Sequence, residues 1–269
     1  MNFNFSKQDK IILREIFERF SSPTVVPSSN LIISVASFFK NTPYQANSLE
    51  GDDEILTVNL NAFDCVTFVE TVLAIVKFIR SAKKYDEDNF LNILRNIRYR
   101  DGVISTYVSR LHYFSEWMKQ NNDKEIFTDI TKSLGGEKKI KQLNWMSKHS
   151  ALYSPLSKVS CSKNISSPST MLEEITLLEQ RLSQIGFFCI AKQNIKKITN
   201  RLQTGDFVGF STSLDGLDIV HCGFVIIENH IPFLIHASSV AKKVVISNED
   251  IDSYAKAQTN IDGILVGRN

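Results

Sequence analysis

A single cysteine lies in the stretch Asn61-Ala-Phe-Asp-Cys-Val-Thr-Phe-Val-Glu70, where a turn gives way to a long apolar run. From Val66 to Arg80 only Thr67, Glu70, Thr71 and Lys77 interrupt that run, so the spacing predicts a helix buried inside the protein, a rigid mount for the residue at its start. The unpaired N–H groups and the positive dipole end of a helix N-terminus favour a thiolate, which places Cys65 as a nucleophile. Taken alone, Cys65 fits an inert buried thiol as well.

A nucleophilic thiol needs a general base within hydrogen-bond reach, and the base needs a third group to orient it. His221 lies in Ile219-Val-His-Cys-Gly-Phe-Val-Ile-Ile227 and His236 in Phe233-Leu-Ile-His-Ala-Ser-Ser239. Both runs read as strands, where an unpaired imidazole is costly. A tight turn at Asn229-His230 would join them as a hairpin and bring His221 and His236 together, with Gly223 and Ala237 leaving room beside them. His112 and His149 suit surface positions equally well, and His230 falls in the turn. His, Cys and Asp are also zinc ligands, but no H-x-x-x-H or C-x-x-C spacing is present, so neither a metal nor another cofactor is expected. No Gly-rich run joins a strand to a helix to form a phosphate loop.

The elements that must position these groups fall into two blocks. Helical periods mark Lys7 to Phe20, Asn30 to Lys40, Asp86 to Tyr99, Tyr107 to Gln120 and Lys124 to Leu134. Thr170-Met-Leu-Glu173 has the form of a capping box opening a helix that Gly186 can end. After Gly205-Asp206 the pattern changes to short β-rich runs at Phe207 to Phe210, Ile219 to Ile227, Pro232 to Ala237, Val244 to Ser247 and Ile264 to Val266, with a reversal at Asp215-Gly216. Helices first and strands after predict an α+β fold in which the Cys65 helix packs on a mainly antiparallel sheet. Ser154 to Ser169, rich in Ser, Lys, Asn and Pro, reads as an exposed loop.

With 269 residues and 43% hydrophobic content, the chain can bury a substantial core. The near balance of 31 Lys plus Arg against 29 Asp plus Glu, net +2, gives no argument for nucleic acid or a membrane surface as partner. Cys65, Cys161, Cys189 and Cys222 show no paired spacing that would signal a disulfide framework. Charged residues break up Met1 to Phe20, so no signal peptide is expected there, and no apolar run reaches the ~18 residues of a membrane span.

The ordered pieces Asp64-Cys65, His221-Cys222-Gly223 and His236-Ala237-Ser238, with Thr42-Pro-Tyr44 and Thr204-Gly-Asp-Phe207 upstream of the helix and the strands, resemble the NlpC-type superfamily of papain-like cell-wall peptidases and amidases. More narrowly, Phe63-Asp-Cys-Val-Thr-Phe-Val-Glu70, Tyr99-Arg-Asp-Gly102, Ser109-Arg-Leu-His-Tyr-Phe114 and Gly216-Leu-Asp-Ile-Val-His221 resemble the N-acetylmuramoyl-L-alanine amidase-like branch, from about Asn30 to Arg268. The resemblance implies a single catalytic domain over 1–269, with a papain-like core at about 30–85 and 186–269 and a helical insertion at about 86–185. It implies hydrolysis of the amide between muramic acid and L-alanine in peptidoglycan fragments, with Cys65 as nucleophile, His221 as general base and His236 as its orienting partner. Tyr44, Asp64, Arg110, His112 and Tyr113 are the substrate-binding residues it implies. Arg110, Tyr113 and Trp117 would share one face of a helix lining the groove. The resemblance also implies a cell-envelope or periplasmic setting, while the chain as given leaves the cytoplasm open. A stem-peptide endopeptidase and a non-catalytic muropeptide-binding module are the rival readings. Cys222 stands where related sequences carry an aliphatic residue, and strand alternation predicts that it faces away from His221.

Overall fold

The computed structural model describes residues 3–21, 28–51, 53–153 and 168–269. Its first elements are β1 (Phe3–Phe5) and α1 (Lys7–Phe20), which buries Leu13, Ile16 and Phe17 at the expected spacing and is capped by Ser6. After α2 (Ser28–Phe38), β2 (Leu56–Val58) pairs in parallel with β1. The predicted apolar helix is α3 (Cys65–Ser81), buried from Thr67 to Val76 and again at Phe78 and Ile79. Its one buried charge, Glu70, meets Arg98 at the end of α4 (Glu87–Arg98) at 2.8 Å, with both side chains no more than 3% exposed. Arg98 also donates to the Thr57 carbonyl at 2.6 Å, tying α3, α4 and β2 together.

The segment after α4 departs from the predicted helices. Tyr107–Ser109 is a single 3-10 turn, Arg110 is extended, and α5 begins only at Phe114 (Phe114–Asp123). Tertiary pairing overrides the local period here: Arg110 bridges to Tyr99, and the Leu111 N–H donates to the Arg98 carbonyl. The helix expected over Lys124 to Leu134 is also absent, because Thr128–Asp129 forms β3 against the last strand. Then follow β4 (Glu137–Lys139), α6 (Trp145–Lys148) and α7 (Pro168–Ile185). α7 starts two residues before the expected cap at Thr170 and ends, as expected, at Gly186 with φ +67°. Of the predicted loop Ser154 to Ser169, residues 154–167 lie outside the described residues, and 168–169 belong to α7.

The rest of the chain builds the sheet from β5 (Phe187–Ala191), β6 (Phe207–Thr212), β7 (Ile219–Glu228), β8 (Ile231–Ser238), β9 (Lys243–Asp250) and β10 (Ile261–Arg268). Short helices α8 (Ile195–Ile198) and α9 (Ile251–Ala257) lie between strands. The strand order is β4-β5-β10-β6-β7-β8-β9 with β3 also on β10, and every pairing in this eight-stranded sheet is antiparallel. The β7–β8 turn at Asn229-His230 has positive φ at both residues, as a two-residue hairpin of this twist requires.

Alternation along the strands divides the core. Phe207, Cys222, Phe224, Ile235, Ala237 and Leu265 pack with α3, whereas Val208, Phe210, Val225, Leu234, Ile264 and Val266 pack with Ile195, Ile198, Ile251 and Ala255 on the other face. The protein is thus a mixed α+β fold with its most buried helix against an antiparallel sheet. A separate apolar cluster joins Tyr107, Tyr113, Leu143, Met146, Ile175 and Leu178 within the region between α4 and β5.

Candidate active site

Asp64 fixes where α3 begins. Its Oδ1 accepts the Thr67 N–H at 2.8 Å, and Thr67 Oγ1 accepts the Asp64 N–H at 3.0 Å, a reciprocal cap. Burial first, and then the charge of Cys65, push the Asp64 carboxyl up to about 6. Cys65 follows immediately, half-buried in the first helical turn.

The β7–β8 ladder runs from Glu228↔Ile231 to Phe224↔Ile235 and stops there. Residues His221 to Gly223 and His236 therefore lie where the two strands part. In that fork His221 Nε2 and His236 Nδ1 are 2.5 Å apart. Gly223 is needed for this approach: a Cβ on it would sit 2.8 Å from both the His236 Cβ and the Ile235 carbonyl oxygen. His236 is buried, and burial, then the neighbouring His221, hold it down to about 3, so its ring is neutral. His221 favours the charged form of Cys65, and with Nε2 engaged by His236, its Nδ1 is the nitrogen left to serve Cys65.

Cys222 alters this picture. It does face away from His221, but that face is the one α3 covers, which puts Cys222 on the side of Cys65. The neighbouring Cys222 thiol is the largest influence holding Cys65 well below the usual thiol range; burial opposes it, and the His221 imidazole adds to it. Burial, then the Cys65 charge, keep Cys222 itself well above that range. These effects favour the charged form at Cys65 and the protonated form at Cys222.

Two tyrosines border the pair. Thr42 and Tyr44 extend the sheet beside β9, with the Val244 N–H donating to the Thr42 carbonyl and the Tyr44 N–H to the Lys242 carbonyl. The Gln45 N–H and Phe63 carbonyl, 2.9 Å apart, then hold Tyr44 against the turn that carries Cys65. Burial first, then the charges of Cys65, Asp64 and Cys222, push the Tyr44 hydroxyl up to about 12, which keeps it a donor. Tyr254 of α9, which no motif singles out, packs on both imidazoles with ring centroids 6.0 Å from His221 and 5.7 Å from His236.

The structure places the other expected binding residues differently. Arg110, Tyr113 and Trp117 do not share a helix face, since Arg110 precedes the helix and Trp117 is buried against Phe114, Phe127 and Phe207. Arg110 is buried, donates to the Leu49 carbonyl and Glu50, and lies 3.6 Å from Glu54. The buried Tyr113 hydroxyl donates to Glu179 and accepts the Trp145 N–H. His112 Nε2 donates to the Tyr107 carbonyl at 2.7 Å, and burial, then Arg110, hold the ring well below the usual imidazole range, so it is neutral. Arg110 thus ties Leu49, Glu50 and Glu54 to the segment after α4, whereas His112 is held by Tyr107 and Tyr113 by Glu179 and Trp145. Of the sequence-derived set, the structure brings together Cys65, His221, His236, Asp64 and Tyr44.

A family model described as AmiA-like, N-acetylmuramoyl-L-alanine amidase-like, matches residues 34–264. Among solved structures, a Bacteroides uniformis ATCC 8492 protein named as an N-acetylmuramoyl-L-alanine amidase is 30% identical, with a TM-score of 0.80 over 90% of this chain and 98% of its own. A Bacteroides fragilis protein described as a candidate xylanase is 31% identical, with a TM-score of 0.77 over 88% of this chain and 99% of its own. A Legionella pneumophila str. Philadelphia 1 protein at 21% identity and a TM-score of 0.71, covering 98% of this chain and 95% of its own, shares the fold. No curated protein matches the chain in sequence.

Proposed function

The chain belongs to the AmiA-like, N-acetylmuramoyl-L-alanine amidase-like family, and on that premise we propose that it is a cysteine hydrolase of peptidoglycan fragments, cleaving the amide between N-acetylmuramic acid and L-alanine. The observation that carries this reading is the relay from the Cys65 sulfur through His221 to His236, at the start of a buried helix. In it the fold is a papain-like core of the NlpC type, the chain is one catalytic domain, and it works on cell-wall material in the envelope or periplasm.

The Cys65 thiolate attacks the amide carbonyl carbon. The Cys65 and Val66 N–H groups, which precede the capped Thr67 N–H in the first turn, receive the oxyanion together with the Tyr44 hydroxyl. His221, protonated by the thiol it deprotonated, delivers that proton to the departing L-alanine nitrogen, and the C–N bond breaks to leave a thioester on Cys65. Water, deprotonated by His221, then attacks the thioester, releasing the lactyl carboxylate and restoring the thiol. His236 keeps the His221 ring turned so that Nδ1 faces the sulfur throughout, the orienting role of the third triad member.

Glycoside hydrolysis, suggested by the name of the Bacteroides fragilis relative, needs two carboxyl groups flanking the bond. Here Asp64, the carboxylate next to Cys65, is committed to the helix cap, and the groups around the sulfur are a thiol, an imidazole and a phenol. Mass spectrometry of purified muropeptides after digestion tests the proposal. The expected products are an intact stem peptide with a free L-alanine amine and a sugar with a free lactyl carboxylate, and Cys65→Ala should abolish both. Internal cleavage of sugar-free stem peptides at comparable rates would make the protein an endopeptidase. Binding of muropeptides without turnover would make it a recognition module.

A further inference from the structure

Cys65 and Cys222 are brought together by the packing of α3 on β7. Phe68, one helical turn after Cys65, meets Phe224, two residues after Cys222 on the same strand face, with ring centroids 5.9 Å apart. A turn of helix rises about 5 Å and two strand residues about 7 Å, so the Phe68–Phe224 contact puts Cys65 and Cys222 at the same end of the α3–β7 packing. Both cysteines are free, Cys222 fully buried and Cys65 half-buried, and each bears on the other's charge.

We propose that Cys65 and Cys222 form a reversible disulfide when the protein meets a peroxide, closing the nucleophile and protecting it from irreversible oxidation. The Cys65 sulfur attacks one peroxide oxygen, the O–O bond breaks, and hydroxide leaves, giving a sulfenic acid on Cys65. The Cys222 sulfur then attacks the Cys65 sulfur, the S–O bond breaks, and the departing hydroxide takes the Cys222 proton as water. In sum, two thiols lose two electrons and two protons, and one peroxide becomes two waters. Charge distribution suits each partner: the half-buried Cys65, favoured as thiolate, is the more accessible and reactive sulfur, and the protonated Cys222 waits behind it as the resolving group. Disulfide formation itself rests on geometry; its consequence for turnover rests on Cys65 being the nucleophile.

The test treats the reduced full-length protein with hydrogen peroxide and reads intact mass, peptide maps and iodoacetamide labelling of Cys65, none of which needs a substrate. The expected result is loss of two hydrogens in mass, a linked Cys65–Cys222 peptide, loss of Cys65 labelling, and full recovery with dithiothreitol. In Cys222→Val the same treatment should drive Cys65 to the sulfinic acid, with labelling that dithiothreitol does not restore; Cys222→Ser serves if the valine variant does not fold. Irreversible oxidation of Cys65 in the unmutated protein, or a bridge joining Cys65 to Cys161 or Cys189, overturns the proposal. If the bridge forms but leaves muropeptide turnover intact, the pairing stands and Cys65 is not the nucleophile.

Discussion

His221 Nε2 lies 2.5 Å from His236 Nδ1, and the two rings meet edge to face at 80°. One proton serves this contact, and His236, held down to about 3 by burial and then by His221, is the partner that accepts it. In the proposed triad a neutral imidazole stands where other triads have an amide or carboxylate, and it would fix a tautomer without taking a proton away.

Substitution of these two histidines should therefore separate base from support. His221→Ala is expected to lower kcat by roughly 10²–10⁴-fold and to slow iodoacetamide labelling of Cys65 near neutral pH. His236→Asn, which keeps an acceptor, should lose much less than His236→Ala. The sign of the stability effect follows from the lowered value: unfolded His236 takes a proton near 6.5, while the folded ring refuses it until about 3. Its contribution is therefore present above about pH 6.5 and is lost as pH falls toward 3. Urea unfolding of His236→Asn across that window should show a flatter acid limb than the parent; an unchanged limb would mean that His236 is already protonated when folded.

Asp64 titrates in the opposite sense. Raised to about 6 from its ordinary 3.8, it favours the folded state while protonated, and that advantage is lost as pH rises from about 4 through 6. Asp64→Asn retains a capping side chain and removes the carboxylate beside Cys65. The variant should gain stability relative to the parent as pH increases over this window, and its Cys65 labelling should persist to lower pH. Slower labelling would show that the carboxylate helps to hold the thiolate.

The buried arginines predict stability changes where a groove residue would change substrate binding. Arg98→Ala strands Glu70 inside the protein and is expected to cost about 3–5 kcal/mol in chemical denaturation. Arg110→Ala strands Glu50 and Glu54 and should likewise lower stability, by less because Glu50 is 21% exposed. An Arg110→Ala protein as stable as the parent but with a raised KM would return Arg110 to the substrate.

Gly223→Ala tests the fork itself. The added methyl meets the Ile235 backbone, which cannot swing aside like a side-chain end, and the His236 Cβ. A cost of about 1–3 kcal/mol is expected, with slower Cys65 labelling as His236 shifts against His221. Wild-type labelling in a folded Gly223→Ala protein would show that the imidazole contact tolerates the displacement.

The sheet from β6 to β10 is legible because its strands are short β-rich apolar runs and their turns carry Asn229, His230 and Gly216 at positive φ. The buried helix was legible from Val66 to Arg80 because it is apolar on nearly every face. Tyr107 to Tyr113 and Lys124 to Leu134 were misread as helices because their partners, Tyr99 and β10, are distant in sequence and leave no local trace. β5 had a signal that went unused: Phe187-Phe-Cys-Ile-Ala191 is a continuous apolar run directly after Gly186. At the site, alternation correctly turned Cys222 away from His221, but it could not say that α3 covers that face. Tyr254 reaches the imidazoles through the packing of α9 alone, which no spacing in the chain records.

The place of β10 in the sheet has a consequence for biosynthesis. It follows every other strand in the chain, yet it lies between β5 and β6 and also pairs with β3. A ribosome adding roughly 5–20 residues per second presents β5 several seconds before its central partner emerges. Throughout that interval the inner edges of β5 and β6 stay open, and the apolar side chains that α3 and α9 will cover have no finished surface to rest on. Nascent chains stalled before Ile261 should therefore be captured by holdase chaperones and cut readily by proteases, and both sensitivities should vanish together once β10 clears the exit tunnel.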